Sequence, residues 1–569
     1  LVAAGVAGAV CSFKKRVRLS IFRSSGSILS GILIGFVFSG PVVASSQQPL
    51  QTPTARPRQT PADEPYLHSP QPGSRNPVAT IEVNARLVVL DVTVTDSKGK
   101  PADGLSQADF QVYEDGRLQR IRSFDAPAAH RLPEAVLSAG ASAVFDPAQP
   151  ATFGRSPVDL LVLDQLNTHF ADSSFARRAM RDYLARQPEL LPEPTTLLSL
   201  SEQGFKSLQG FTRDRDLLLR ALAAAPVEYA WQLELNGKAD YGPVERLDHS
   251  LRSLEQIAQA YASIRGRKNL IWIGGGFPTL DPTTIDRGDA QEVKQDLQHV
   301  TDILLAARVT LYAVDPTTTA VGMTEITDPA EVAFANAAGD ALTLGSDPFS
   351  TTDDFDKLGP VTGGRVIRGR NDVSQQIAQA IALGNDFYTL TYTPDSTSDA
   401  AQAFRRIKVV CLRPGLTATT RSGYYSEVSS RQESSVTAAY DLTTAALATV
   451  PLHGLRVAVV PDRDGSAPAG AWTIKVGVAG LTWRPMPDGG ATASVYVMAV
   501  SLDAKYRILG RTLEGMTANA KPGADLKDPG SAAGFLLTAV PKAKAAILRF
   551  VVRDSASGRL GSYDIPLNK

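Results

Sequence analysis

Between Val158 and about Gly384 the apolar pattern alternates between short continuous runs and helical spacing, and this alternation constrains the fold more than any other feature of the chain. Leu160–Leu163 is a buried-strand run ending at Asp164, and a helix is expected through Ser174–Gln187, capped by Asp172 or Ser173. Thr196–Leu200 reads as the next strand and Arg213–Ala224 as a helix with Thr212 as its cap. Leu251, Leu254, Ile257, Ala258 and Tyr261 recur at helical spacing before the strand Leu270–Ile273, which ends in Gly274-Gly275-Gly276. Val293, Leu297, Val300 and Leu304 mark another helix, followed by strands Val309–Val314 and Arg365–Ile367 and a helix Asp372–Leu383 that Asn371 could cap. Strands and helices in this alternation predict one α/β domain over 157–384, a doubly wound, mainly parallel sheet with helices on both faces.

The flanks have the other periodicity. Val83, Ala85, Leu87 and Val89 form one apolar row and Val88, Leu90, Val92 and Val94 the other, a long strand closed by the turn Asp96–Gly99. Phe110–Tyr113, the turn Glu114-Asp115-Gly116 and Gln119–Phe124 read as further strands. These are too few to close a core alone. Alternation returns at Phe387–Thr393, Arg405–Cys411 and Ala418–Tyr425, so 81–125 and 386–426 are expected to form one β-sandwich into which the α/β domain is inserted. Short strands at Leu455–Val460, Trp472–Val478, Ser494–Leu502 and Ile547–Arg553 predict a separate C-terminal β-sandwich over 452–569, joined by a Ser/Thr/Ala-rich linker at 427–451.

Lys plus Arg and Asp plus Glu each total 58 of the 569 residues, but five of the bases and no acid fall within residues 1–44. There Lys14–Arg23 is a basic region and Ile28–Phe38 an apolar core shorter than the ~20 residues that span a bilayer, with small residues up to Ala44. An exported protein is expected, placed in the periplasm, the outer envelope or the medium, with cleavage near Ala44 or an uncleaved membrane anchor. Residues 45–80 hold eight prolines and read as an extended tether. The remaining chain has 53 bases against 58 acids and no basic block, which argues against nucleic acid as a partner. Two cysteines, Cys11 and Cys411, exclude a disulfide framework and a thiolate-rich metal site. Cys411 lies on an alternating strand as a small apolar residue would.

Specific blocks carry a resemblance. Arg86-Leu-Val-Val-Leu-Asp-Val-Thr-Val-Thr-Asp96, Gly104-Leu105 and Asp109-Phe-Gln-Val-Tyr-Glu-Asp-Gly116 open a series that continues with Leu163-Asp-Gln-Leu-Asn-Thr168 and Arg267-Lys-Asn-Leu-Ile-Trp-Ile-Gly-Gly-Gly-Phe-Pro278. Thr362-Gly-Gly364, Asp386-Phe-Tyr-Thr-Leu-Thr-Tyr-Thr-Pro394 and Arg421-Ser-Gly-Tyr-Tyr425 complete it. Over about 80–426 the chain resembles the von Willebrand factor A-related domain family described from acidobacteria. The resemblance implies an exported protein with an A-type domain, a fold used for adhesion and protein binding, and no defined reaction.

Metal-binding members of that fold place Mg²⁺ at the carboxyl edge of the sheet, held by an Asp-x-Ser-x-Ser motif, a threonine and a further aspartate. Asp164 matches the first aspartate, Thr168 can replace the second serine, and Asn167 can supply an oxygen, with Asp281 following the three glycines. Leu166 stands where the first serine would be, so the expected site for Mg²⁺ or another divalent cation is a degenerate one. Thr212, the nearest hydroxyl in the second loop, fits a helix cap better.

An enzyme reading uses the same residues. Asp164-x-x-x-Thr168 resembles the nucleophile loop of haloacid-dehalogenase-like phosphatases, but Leu166 occupies the place of the general acid. His-Glu-x-x-His, Gly-x-Ser-x-Gly and Gly-x-x-x-x-Gly-Lys are absent, and His169 is a lone histidine beside the loop. The expected function is therefore non-enzymatic binding of a protein ligand through loops containing Asp164, Asn167, Thr168, Gly275, Phe277 and Asp281, with Phe277 as an exposed apolar anchor or a core residue. A metal-dependent hydrolase using Asp164 is the alternative, and glycan binding by 452–569 through Trp472 and Trp483 a third reading.

Overall fold

The computed structural model describes residues 87–567 except 203, 229–242, 279–286, 317–356, 368–371, 395–403, 426–434, 463–469 and 529. The basic and apolar segment at 1–44, the tether at 45–80, Asn371 and Asp281 lie outside the described residues.

A mixed six-stranded sheet, mostly parallel, forms the centre of the α/β domain. Its order is Arg365–Ile367, Val309–Val314, Lys268–Ile273, Val158–Asp164, Leu190–Ser201 and Gly204–Asp214, with only the last strand antiparallel. Val158–Asp164 and Lys268–Ile273 are buried at every position, as strands covered on both faces must be. Helices Phe170–Ala185, Arg215–Ala224 and Val373–Asn385 cover one face, over Leu161, Leu163, Ile271 and Ile273. Helices Pro243–Ala260 and Arg287–Ala306 cover the other, over Leu160, Val162, Leu270 and Trp272.

Two helix starts differ from expectation. The helix expected from Ser174 begins at Phe170 with His169 at its N-cap position, so Asp172 and Ser173 lie inside it rather than capping it. The helix after the antiparallel strand begins at Arg215, and Asp214 caps it by accepting from the N–H groups of Asp216 and Leu217. Thr212 instead belongs to the edge strand, its hydroxyl accepting from Asp214 N–H. Asp outcompetes Thr here because its carboxylate reaches two of the four orphan amides.

Strands on either side of this domain pair with one another. Val88–Asp96 lies antiparallel between Tyr388–Tyr392 and Leu416–Thr419, and Ile121–Asp125 extends that sheet past Tyr388–Tyr392. Phe404–Cys411 joins Phe110–Glu114 to Gly423–Tyr425 in a second sheet that ends at Arg117–Gln119. The Asp115-Gly116 turn takes positive φ at both residues, 48° and 77°, the conformation that a two-residue hairpin of right-handed twist needs. Leu90, Val92, Phe110, Val112, Leu390 and Val409 fill the space between the sheets.

The base of the α/β domain is bonded to this sandwich. The buried Arg267 donates to Thr93 Oγ1 (3.2 Å) and Tyr312 Oη (2.9 Å) and lies over the Phe387 ring. Arg308, held in the left-handed region at φ 55°, forms an ion pair with Asp91.

In the C-terminal region Val457–Pro461, Ala471–Gly477 and Ala532–Thr538 form one sheet. Arg484–Pro485, Ala491–Leu502, Ile547–Asp554 and Leu560–Pro566 form the other, with Ile508–Ala520 paired to Ala491–Leu502. Ile474, Val476, Val497, Phe535 and Phe550 pack between them, as in a β-sandwich.

This sandwich is not separate. Met498, Val500, Val551 and Leu560 share one continuous core with Leu251, Leu254, Val300 and Leu304 of the α/β domain. The segment expected as a linker contains the helix Ser435–Leu447, whose Leu442, Ala445 and Ala446 enter the same core. Alanines at that spacing bury a helix face without a visible hydrophobic stripe, which is why composition alone reads as linker.

Candidate functional site

Strand order reverses between Val158–Asp164 and Lys268–Ile273, because the chain first builds outward to one side of Val158–Asp164 and then returns to its other side. The carboxyl ends of those two strands are where an open α/β sheet leaves a ligand crevice. Here Asp164–Thr168 forms one wall and Gly274–Gly276 the other.

The walls are pressed together. A Cβ on Gly274 would lie 2.5 Å from Asp164 Cβ and 2.6 Å from Thr168 Oγ1, and one on Gly275 would lie 2.7 Å from the Asn167 carbonyl oxygen. Glycine is the residue that permits this approach. Gly275 N–H donates to Thr168 Oγ1 at 2.9 Å, fastening the two loops across the gap.

Asp164 is fully buried. Leu166 and Asn167 donate their backbone N–H groups to its Oδ1 at 2.9 and 3.0 Å. Trp272 Nε1 and Asn167 Nδ2 donate to Oδ2 at 3.0 and 3.4 Å. Burial nonetheless dominates these four donors and pushes the carboxyl up to about 6. Asn167 Nδ2 also donates to Ser250 Oγ on the helix Pro243–Ala260 (2.9 Å), while Asn167 Oδ1 is buried without a partner.

Leu166 is buried in the core with Trp272 and Phe277. Burying a leucine side chain is worth about 1.5–3 kcal/mol, so the position that would carry a ligand hydroxyl instead stabilises the loop by packing. Phe277 does not stand out as an exposed anchor. It is 9% exposed, and its ring centroid lies 5.0 Å from that of Trp272. The apolar patch over the indole favours the ring more than water does.

These residues do not fit a divalent cation. Both oxygens of Asp164 and the hydroxyl of Thr168 accept protein N–H groups, and Leu166 offers no donor atom. Asn167 Oδ1 is a single oxygen where Mg²⁺ wants six ligands. No group of three or more His, Cys, Asp or Glu residues placed to hold a metal occurs among the described residues. The same engagement leaves Asp164 without a free oxygen for nucleophilic attack, and the buried Leu166 cannot protonate a leaving group.

The edge has features that the sequence did not reveal. Gln165 is buried and ties the adjoining segment down: its Nε2 donates to Ser199 Oγ (2.8 Å) and its Oε1 accepts Glu228 N–H (2.9 Å). Arg177 donates to the carbonyls of Ala225 and Pro226 at 2.8 and 2.9 Å. Between these anchors Val227 is 59% exposed. Phe170, first residue of the helix after the Asp164 loop, is 45% exposed, and His169 beside it is exposed at the N-cap position. An aromatic opening a helix directly after a strand-end loop was the available signal for Phe170; Val227 had none. In the C-terminal sandwich Trp472 and Trp483 are half-buried, donating to the carbonyls of Ala539 and Val478 at 2.9 Å each, and so are not the exposed pair that a sugar platform requires.

No family model matches the chain, and no curated protein matches it. Among solved structures it is similar to the vWF domain of the type V pili tip protein Mfa5 from Porphyromonas gingivalis, at 16% identity and a TM-score of 0.17. That match covers 25% of this chain and 48% of the other, about half its length. The SpRpn10 VWA domain matches at 12% identity and a TM-score of 0.18, over 39% of this chain and 94% of that one. An endonuclease/exonuclease/phosphatase from Beutenbergia cavernae matches at 11% identity and a TM-score of 0.10, over 49% of this chain and 60% of that one. At such TM-scores the fold rests on the strand pairing described above.

Proposed function

We propose that the chain is an exported, non-enzymatic binding protein whose α/β domain is a von Willebrand factor A-like module that captures a protein ligand at the carboxyl edge of its sheet without a metal ion. One observation carries the reading: the crevice is sealed by hydrogen bonds and glycine contacts, while Phe170 and Val227 stay exposed beside it. A rigid edge with protruding apolar side chains suits recognition, because aromatic anchors on a pre-organised surface carry much of the binding energy at protein interfaces. The resemblance of residues 80–426 to an A-domain-related family favours the same class.

A photo-crosslinking amino acid placed at Phe170 tests this in cells, beside one at Leu190, which is exposed at the opposite end of the sheet. A discrete crosslinked protein obtained only from position 170, retained in chelator and lost on Val227→Asp, is the expected result. Equal labelling from both positions, or loss on chelation, would sink the proposal.

A further inference from the structure

The flanking sandwich has a second surface with recognition chemistry. Its two sheets end in neighbouring edge strands, Arg117–Gln119 and Ile121–Asp125, separated in the chain by Arg120 alone. A groove of about 650 Å³ opens there, and no acidic residue lines it. Arg120 and Arg122 both line it and are exposed, and neither forms an ion pair among the described residues. The acids nearest in sequence are already engaged: Asp109 with Arg413 (2.9 Å), Asp115 with Arg405 (3.0 Å) and Asp125 with Arg155 (3.0 Å), while the buried Glu114 accepts from the hydroxyls of Tyr392 and Tyr424. Leu118, 58% exposed, and the half-buried Ile121 add an apolar wall.

We propose that this groove binds an extended acidic segment of a partner protein, added as a strand along Ile121–Asp125. Its carboxylates would meet Arg120 and Arg122, and an aliphatic side chain would cover Leu118. Three features favour a polypeptide over another polyanion. Edge strands offer unpaired main-chain donors and acceptors that only a peptide satisfies in register. The register shift opposite Thr391 and Tyr392 makes Arg122 an extra, bulged residue, a device that deters indiscriminate pairing and leaves charge to select the partner. Leu118 contributes apolar surface that a sulfated or phosphorylated chain would not use. Guanidinium groups without partners bind carboxylates through charge-assisted hydrogen bonds. This surface shares no residue with the loop edge of the α/β domain, so either can fail without the other.

The test uses the full chain and a fluorescein-labelled heptapeptide of alternating Glu and Val, followed by fluorescence anisotropy at low ionic strength. Saturable binding is expected, weakened about tenfold or more in the combined variant Arg120→Glu and Arg122→Glu. It should be unchanged when the distant, exposed Arg484 and Arg511 are reversed instead. A peptide with proline in place of each valine should also bind about tenfold more weakly, because proline removes the main-chain donor at every second position and with it the continuous strand pairing. Absence of saturable binding, or equal binding by the Arg120/Arg122 variant, overturns the proposal. So does a proline peptide or heparin that competes as well as the parent peptide, since that result would assign the groove to a non-peptide anion.

Discussion

Asp164 shows how a residue can sit where a ligand would be held and yet be wholly committed to the fold. Its position at the end of an apolar strand was legible in the sequence. Its partner Trp272 was not, because Leu270–Ile273 reads as a featureless apolar run and only the pairing of neighbouring parallel strands brings the indole to the carboxylate. The same contacts make Gly274 the most sensitive small residue of the loop. Gly274→Ala should cost about 2–4 kcal/mol, since the new methyl meets Asp164 Cβ and Thr168 Oγ1 inside van der Waals distance. Chemical denaturation would measure this, and a loss below ~0.5 kcal/mol would show that the walls are not pressed together.

A second prediction concerns the opposite end of the sheet. Burial pushes Asp159 up to about 6, against the amides of Asn269 and Asn385, and pushes Glu193 up to about 8, with Asp159 adding to the rise. The folded chain therefore holds protons that the unfolded chain releases near pH 4. This contribution is complete below that pH and is lost as pH rises through about 6 and then about 8. Because burial pushes Lys268 down to about 7, a change that works in the opposite sense above that pH, the test is the difference between two proteins: between pH 5 and pH 9 the parent should lose more stability than Glu193→Gln does. Parallel stability profiles for parent and variant would contradict the assignment.

At the scale of elements, long apolar runs and helical repeats were readable, and polar elements were not. The antiparallel strand Gly204–Asp214 escaped notice because it alternates weakly, carries two glycines and pairs with several register shifts. The helix Ser435–Leu447 escaped because threonine and alanine dominate it. That helix is nevertheless pinned by charge. Asp441 forms ion pairs with Arg252 (3.3 Å) and Arg553 (2.9 Å), and all three side chains are largely buried. Asp441→Ala leaves two guanidinium groups without that counter-charge and should destabilise the protein by about 3–5 kcal/mol, measurable as a lowered thermal midpoint. A variant as stable as the parent would mean that the arginines find other acceptors without cost.

At the scale of the molecule, the continuous core joining helices 243–260 and 287–306 to strands 491–502 and 547–554 has a thermodynamic consequence. The α/β domain and the C-terminal sandwich should unfold in one cooperative transition, because neither can be exposed without stripping apolar surface from the other. Two resolved calorimetric peaks would refute this.

The route of the chain also settles how a pull would be carried. Tension applied at residue 87 enters at Val88–Asp96, whose first half, Val88–Val92, pairs antiparallel with Tyr388–Tyr392 and whose second half, Thr93–Asp96, pairs antiparallel with Leu416–Thr419. Antiparallel hydrogen bonds lie perpendicular to the strand, so a pull along its axis loads them together in shear instead of opening them one after another. In a force-extension experiment with handles at residue 87 and at Leu567, this strand should therefore yield at a higher force than a hairpin opened from its end. Low-force, stepwise release of residues 88–96 would disprove it. The strand that a pull at residue 87 would load first is thus also the strand that joins the two flanks of the α/β domain into one sandwich.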